Sequence, residues 1–182
     1  MVSVLDREIE AGNIEPVVAV FVDSRDPNNL SINRRNNEFM CNQKYAEFYM
    51  NELLPTIEEN FPVSNLRENR VIAGVSFGGL NASCFGLMVF QAFSGIGMQS
   101  PASSKHLKLM ADLYKKSDKK PIKVFLSIGT KNDNTKAVRR FHRVLIDRGY
   151  EVKYLEVPFG HTWKNWQLLI DDLLITFFAS KT

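Results

Sequence analysis

The sequence is poor in the residues that hold metals or staple small folds. Its two cysteines, Cys41 and Cys84, have no CxxC spacing and no further cysteine to pair with, so neither a zinc site nor a disulfide framework is supported and two free thiols are expected. No apolar stretch approaches the roughly 20 residues that cross a bilayer, so no membrane partner is expected. Basic residues outnumber acidic ones by only 23 to 20. Their clusters are short, as at Lys115, Lys116, Lys119 and Lys120, whereas a nucleic-acid partner calls for a denser basic face. Met1 to Glu10 carries Asp6, Arg7, Glu8 and Glu10 where a signal peptide would be apolar, and a cytoplasmic location is the resulting expectation. Internal repeats, linkers and low-complexity tracts are also missing. One domain over residues 1–182 is expected, a length that suits a single core.

What is present is a series of short continuous apolar runs. Pro16 to Val22, Val71 to Val75, Phe93 to Met98, Ile122 to Ile128 and Val152 to Val157 are rich in β-branched residues and read as five strands buried on both faces. Between them lie helical spacings. Tyr45, Phe48, Tyr49, Leu53 and Ile57 form one, and Val138, Phe141, Leu145 and Ile146 form another that stops at Gly149. Trp163, Trp166, Ile170, Leu173 and Phe177 form a last one, read as a single helix. Strands alternating with helices, without two-residue hairpin signals, predict an α/β fold with a mostly parallel sheet between helical layers.

Gly74-Val-Ser76-Phe-Gly78 matches G-x-S-x-G and falls between a predicted strand and a helix-compatible segment, Leu80 to Met88. A serine on so tight a turn is lifted clear of the sheet, and a side chain at either flanking glycine is expected to collide with neighbouring backbone. A serine hydroxyl is a weak nucleophile at neutral pH. It needs a base, and the base needs a carboxylate to hold its tautomer.

Three histidines are available. His106 and His142 fall in helical stretches, whereas His161 follows the strand Val152 to Val157 and the turn Pro158 to Gly160. That loop is at a strand's carboxyl end, where ligands gather in open parallel sheets. Among the acids between Ser76 and His161, Asp112 and Asp147 read as helical, Asp118 and Glu151 precede strands, and Glu156 lies within one. Only Asp133 lies just beyond a strand's carboxyl end, although an Asx turn or helix cap would use it equally well. The candidate catalytic residues are therefore Ser76, His161 and Asp133, in the chain order of α/β-hydrolases. The Phe77 amide is the natural first oxyanion donor.

Several further motifs stand in one order along the chain: Val17 to Ser24, Arg35-x-x-Glu38, Asn42, Glu52 to Ile57, Ala73 to Leu80, Gln99-Ser100 and Gly160-His-x-Trp-x-x-Trp166. In these the sequence resembles the putative-esterase family of α/β-hydrolases, which includes enterochelin (ferric-siderophore) esterases and esterase D. The resemblance implies a serine carboxylic-ester hydrolase with a small-molecule ester substrate, an acyl-enzyme on Ser76 and no cofactor or metal. Acyl transfer to an alcohol is a close variant. Arg35 and Glu38 would form a salt bridge pinning their loop or would touch substrate. The chain has Thr162 and Gln167 where the family usually has aspartate and arginine, which leaves the ester's identity open.

The resemblance also implies a gap. Family members open with several strands, one of which lies between those resembling Val17 to Val22 and Val71 to Val75 and carries the second oxyanion donor in its loop. Met1 to Asn13 resembles the helix after that strand. The two flanking strands must then pair directly, leave a gap, or borrow a strand from a second copy, so an altered sheet or a homo-oligomer that completes it is expected. A degenerate relative that keeps the fold for binding alone is the alternative to an esterase.

Overall fold

The computed structural model describes residues 2–180; Met1, within the expected first helix, and Lys181 and Thr182, within the expected domain, lie outside the described residues. Four runs expected as strands do form them: β3 (Val71–Val75), β4 (Gly95–Gln99), β5 (Lys123–Gly129) and β6 (Glu151–Val157). They make a parallel sheet in the order β3-β4-β5-β6, with Val71 opposite Gly95, Gly95 opposite Lys123 and Lys123 opposite Glu151. Each crossover is a helix: α5 (Phe77–Met88), α6 (Ser104–Lys116) and α7 (Thr135–Asp147).

Side chains alternate across the sheet, so each strand serves two cores. On one face Ile96, Met98, Val124, Leu126 and Ile128 pack with Phe85, Met110, Tyr114 and Phe141 from the crossover helices. On the other, Phe125 packs with Leu169 and Leu173. Leu173 belongs to α9 (Ile170–Phe178), and α1 (Val2–Glu10) packs behind it through Leu5, Ile170 and Leu174. Fully burying one such side chain is worth about 1.5 to 3 kcal/mol, so the two-sided runs hold the sheet between the layers.

The fifth expected strand does not form. Residues 16–22 are assigned no strand, and Val18, Val20 and Phe21 are exposed. Among the described residues their backbone groups make no backbone hydrogen bond. Within the single chain the two flanking strands do not pair directly: among the described residues β3 pairs only with β4 and is an edge strand. The run has the composition of a buried strand but no neighbour to pair with.

Three further expectations are corrected. A small antiparallel hairpin, β1 (Arg25–Asp26) and β2 (Asn29–Asn33), occupies the polar loop after that run; Asp26 Oδ1 accepts the Asn28 N–H at 2.8 Å and so closes the turn. The last helix is broken into α8 (Trp163–Gln167) and α9. The Trp166 carbonyl, which Ile170 N–H would engage in a continuous helix, instead accepts from the buried Gln99 Nε2 at 2.9 Å and from the Leu169 N–H at 3.2 Å. The cysteines are not free. Cys41 and Cys84 form a disulfide, with Cα atoms 4.9 Å apart and a sequence separation of 43. It ties the segment after α2 (Arg35–Glu38) to the middle of α5, a proximity made by packing that no local spacing announces.

The helical spacing around Tyr45 to Ile57 runs from α3 (Gln43–Phe48) through a π-helical turn, Tyr49–Leu53, into α4 (Leu54–Asn60). Asn42 caps it, its side chain accepting the Tyr45 N–H at 3.1 Å. The π turn directly precedes Pro55, which cannot supply an N–H to the fourth residue back and pushes that carbonyl away.

Candidate active site

Ser76 follows the last residue of β3 and precedes the first of α5. Its backbone is at φ 53° and ψ −120°, a region that costs a non-glycine residue about 1 to 3 kcal/mol. Neighbouring bonds hold it there: its N–H donates to the Gln99 carbonyl at 2.9 Å, and its carbonyl accepts from Leu80 and Ala102, each at 3.1 Å. The two motif glycines differ in what they need. A Cβ on Gly74 would lie 2.3 Å from the Gly78 carbonyl carbon, whereas a Cβ on Gly78 would meet nothing within 4 Å. The expected collision therefore holds at Gly74 only.

The loops after β5 and β6 bring Asp133 and His161 to the same end of the sheet. His161 Nε2 lies 2.8 Å from Ser76 Oγ, and His161 Nδ1 lies 3.1 Å from Asp133 Oδ1. With Nδ1–H donating to the carboxylate, Nε2 is left to accept the serine proton. Asp133 is almost wholly buried, at 1% side-chain exposure, while His161 keeps 35%. Four donors surround the carboxylate. Oδ1 takes the Asn134 N–H at 2.9 Å besides the imidazole, and Oδ2 takes the Gly129 N–H at 3.2 Å and the Ser100 hydroxyl at 2.7 Å. Asp133 thus serves as turn former and imidazole partner at once.

Ser76, Phe77, Ala102, Ser103, Asn132 to Asn134 and His161 line an open cleft of about 390 Å³. The Phe77 N–H opens α5, and it has no hydrogen-bond acceptor among the described residues. A hydroxyl aligned on an imidazole that a carboxylate orients, beside a free helix-end N–H, is an arrangement able to activate the hydroxyl and to receive developing negative charge.

The other histidines lie elsewhere. His106 packs against the Phe77 ring at 5.4 Å with its Nδ1 on Ser103 Oγ. His142 stacks on Tyr154 at 4.1 Å, and burial holds its pKa below the usual histidine value. Among the described residues Arg35 and Glu38 form no ion pair. The Arg35 guanidinium sits over the Phe77 ring at 5.9 Å; burial raises the Glu38 carboxyl above its usual range, with Arg34 partly opposing. Ser100, Asn165 and Trp166 were not picked out as functional from spacing, yet they touch the Asp133 carboxylate or its partners. The one signal available was a polar pair, Gln99-Ser100, ending an otherwise apolar run.

Fold and motif together define the class: an α/β protein with a G-x-S-x-G elbow at the carboxyl end of a parallel sheet. The family model described as "Putative esterase" matches residues 1–177, and the chain belongs to that family. It is similar to the iron(III) enterobactin esterase of Yersinia enterocolitica, 31% identical over 101 residues that make up 56% of this chain and 27% of that protein. It is also similar to the iron(III) enterobactin esterase of Dickeya dadantii, 24% identical over 90% of this chain and 40% of that protein. Among solved structures the enterobactin esterase of Shigella flexneri superposes with a TM-score of 0.84 at 22% identity, over 95% of this chain and 47% of that one. An S-formylglutathione hydrolase of Staphylococcus aureus superposes with a TM-score of 0.60 at 19% identity, over 80% of this chain and 73% of that one. The chain thus spans less than half the length of the enterobactin esterases it resembles.

Proposed function

We propose that the chain is a serine carboxylic-ester hydrolase that works through an acyl-enzyme on Ser76. The observation that carries this reading is the 2.8 Å contact between His161 Nε2 and Ser76 Oγ, with Asp133 on the far side of the ring. As Ser76 Oγ attacks the ester carbonyl, His161 takes its proton, and Asp133 stabilises the imidazolium without taking a proton itself. Negative charge gathers on the carbonyl oxygen, for which the Phe77 N–H is the assigned donor. Collapse of that intermediate breaks the bond to the alkoxide, which leaves with the proton from His161. Water then gives a proton to His161, attacks the acyl carbon, and the second collapse returns the proton to Ser76 and frees the acid. An alcohol in place of that water would make the same site an acyltransferase. The steps use groups of the chain and water, and call for no metal or cofactor.

The similarity to iron(III) enterobactin esterases supports a small-molecule ester of the siderophore kind as substrate. The second reading, a relative that only binds, has one observation in its favour: β3 lacks a neighbour on the side where a loop bearing a second oxyanion donor is expected. Intact-mass analysis after a fluorophosphonate probe separates the two. One adduct on the protein and none on Ser76→Ala supports the hydrolase; no adduct on a folded sample supports the binding reading.

None of the described helices is long and apolar enough to cross a membrane. The Cys41–Cys84 bond favours an oxidising compartment over the cytoplasmic location expected from the sequence, because thiols are kept reduced in the cytosol.

A further inference from the structure

We propose that Ser100 is a positioning residue for Asp133: a hydroxyl whose single proton is forced onto the carboxylate, so that the carboxylate stays aimed at His161. The inference rests on the reading of Ser76, His161 and Asp133 as a working triad.

A serine hydroxyl has one proton to give and two lone pairs to fill. At Ser100 both lone pairs are engaged. Trp166 Nε1–H, which can only donate, reaches Ser100 Oγ at 3.0 Å, and Asn165 Nδ2 reaches it at 3.2 Å. The orientation of the Asn165 amide is fixed independently, because the same nitrogen donates to the Gly160 carbonyl at 3.1 Å, a group that can only accept. The remaining polar neighbour of Ser100 Oγ is Asp133 Oδ2, at 2.7 Å. The hydroxyl proton must therefore point at the carboxylate, and Oδ2 can only accept it.

That one-way bond has two effects on Asp133. It occupies Oδ2 together with the Gly129 N–H and so leaves Oδ1 to the Asn134 N–H and the imidazole, fixing the carboxylate's rotation. It also ties the carboxylate to a rigid strand end through a short hydroxyl contact of 2.7 Å. Ser100 is itself fixed. It is fully buried, held at φ 46°, with its N–H on the Ser127 carbonyl at 2.8 Å. Trp166 adds a second restraint, since its ring meets the His161 ring edge-on at 5.0 Å. One indole thus fixes the imidazole directly and the carboxylate through Ser100.

The rate of fluorophosphonate labelling of Ser76 tests this without knowledge of the substrate. Ser100→Ala is expected to slow labelling about ten- to hundred-fold, the factor that corresponds to one lost charge-assisted bond. It should also move the His161 Nδ1–H proton resonance, because the carboxylate is no longer held against the ring. In the Asp133→Ala background the same change is expected to cost nothing further in rate. An unmoved resonance, or an equal slowing in both backgrounds, overturns the proposal. Trp166→Phe, which removes one of the two donors to Ser100 Oγ, is expected to give a smaller effect of the same sign and serves if Ser100→Ala does not fold. Absence of labelling in the unaltered protein, or labelling that survives Ser76→Ala, would sink the triad reading instead. The role of Ser100 is then decided by the His161 Nδ1–H resonance alone: a moved resonance in Ser100→Ala supports it, and an unmoved one overturns it.

Discussion

The two glycines of Gly74-Val-Ser76-Phe-Gly78 should respond in opposite directions to the same substitution. A Cβ at Gly74 would stand 2.3, 2.5 and 2.7 Å from the carbonyl carbon, carbonyl oxygen and Cα of Gly78. All three are backbone atoms that no rotamer change can move, so the elbow itself must shift. Overpacking of this kind costs about 1 to 3 kcal/mol or more, and the upper end applies where backbone is struck. A Cβ at Gly78 meets open space in the first turn of α5, and replacing helical glycine by alanine gains up to about 1 kcal/mol. With a urea slope of about 2 kcal/mol per molar, Gly74→Ala should lower the unfolding midpoint by roughly 1.5 M and Gly78→Ala should raise it by up to roughly 0.5 M. Fluorophosphonate labelling should be lost in the first variant and kept in the second. Equal destabilisation by the two changes would refute the one-sided packing inferred here.

Acid should weaken the fold in two separable windows. His142 has a folded pKa below its unfolded 6.5 because burial disfavours its charge, so stability falls as pH drops below 6.5; His142→Gln should flatten that part of the urea-midpoint profile. Glu156, held down to about 2 by the Arg139 guanidinium despite some burial, contributes stability above its unfolded 4.5 that is lost as pH falls toward 2. Arg139→Ala should flatten that lower window. Reducing the Cys41–Cys84 bridge should cost about 4 kcal/mol, the entropy of a loop of 43 residues, and a urea midpoint unchanged by reductant would contradict this. If a second copy completes the sheet through its exposed run at residues 17–22, light scattering should show mass rising with concentration, with Val20→Lys abolishing the rise; a constant monomer mass refutes it.

Four strands were legible because each is largely apolar: β4 and β5 are covered on both faces, and β3 and β6, at the two edges of the sheet, are partly so. The run at residues 17–22 has the same composition, and what it lacks is a neighbour. Composition reports the environment a segment suits, whereas pairing needs a second segment in reach. Ser76, Asp133 and His161 were legible as a set because each follows a strand of one parallel sheet, and parallel strands put all their carboxyl ends on one side. The disulfide was not, since its cysteines lie 43 residues apart and meet only when the chain after α2 folds onto α5. Nor was the break before Ile170, which depends on a glutamine side chain from another strand reaching the Trp166 carbonyl. The Ser100 contacts escaped for the same reason: the Gln99-Ser100 motif names no partner, and the two donors to its hydroxyl come from α8.

The strand that leads into Ser76 is one of the two edge strands of its sheet, paired along one flank only among the described residues. In free-energy terms such a strand opens locally well below the cost of unfolding the rest, and its amides should exchange with solvent before those of β4 and β5. On warming, the reactive elbow should therefore fail while the sheet behind it is still intact. The temperature at which the protein stops working would then be set by the breathing of one edge strand, not by the melting of the core.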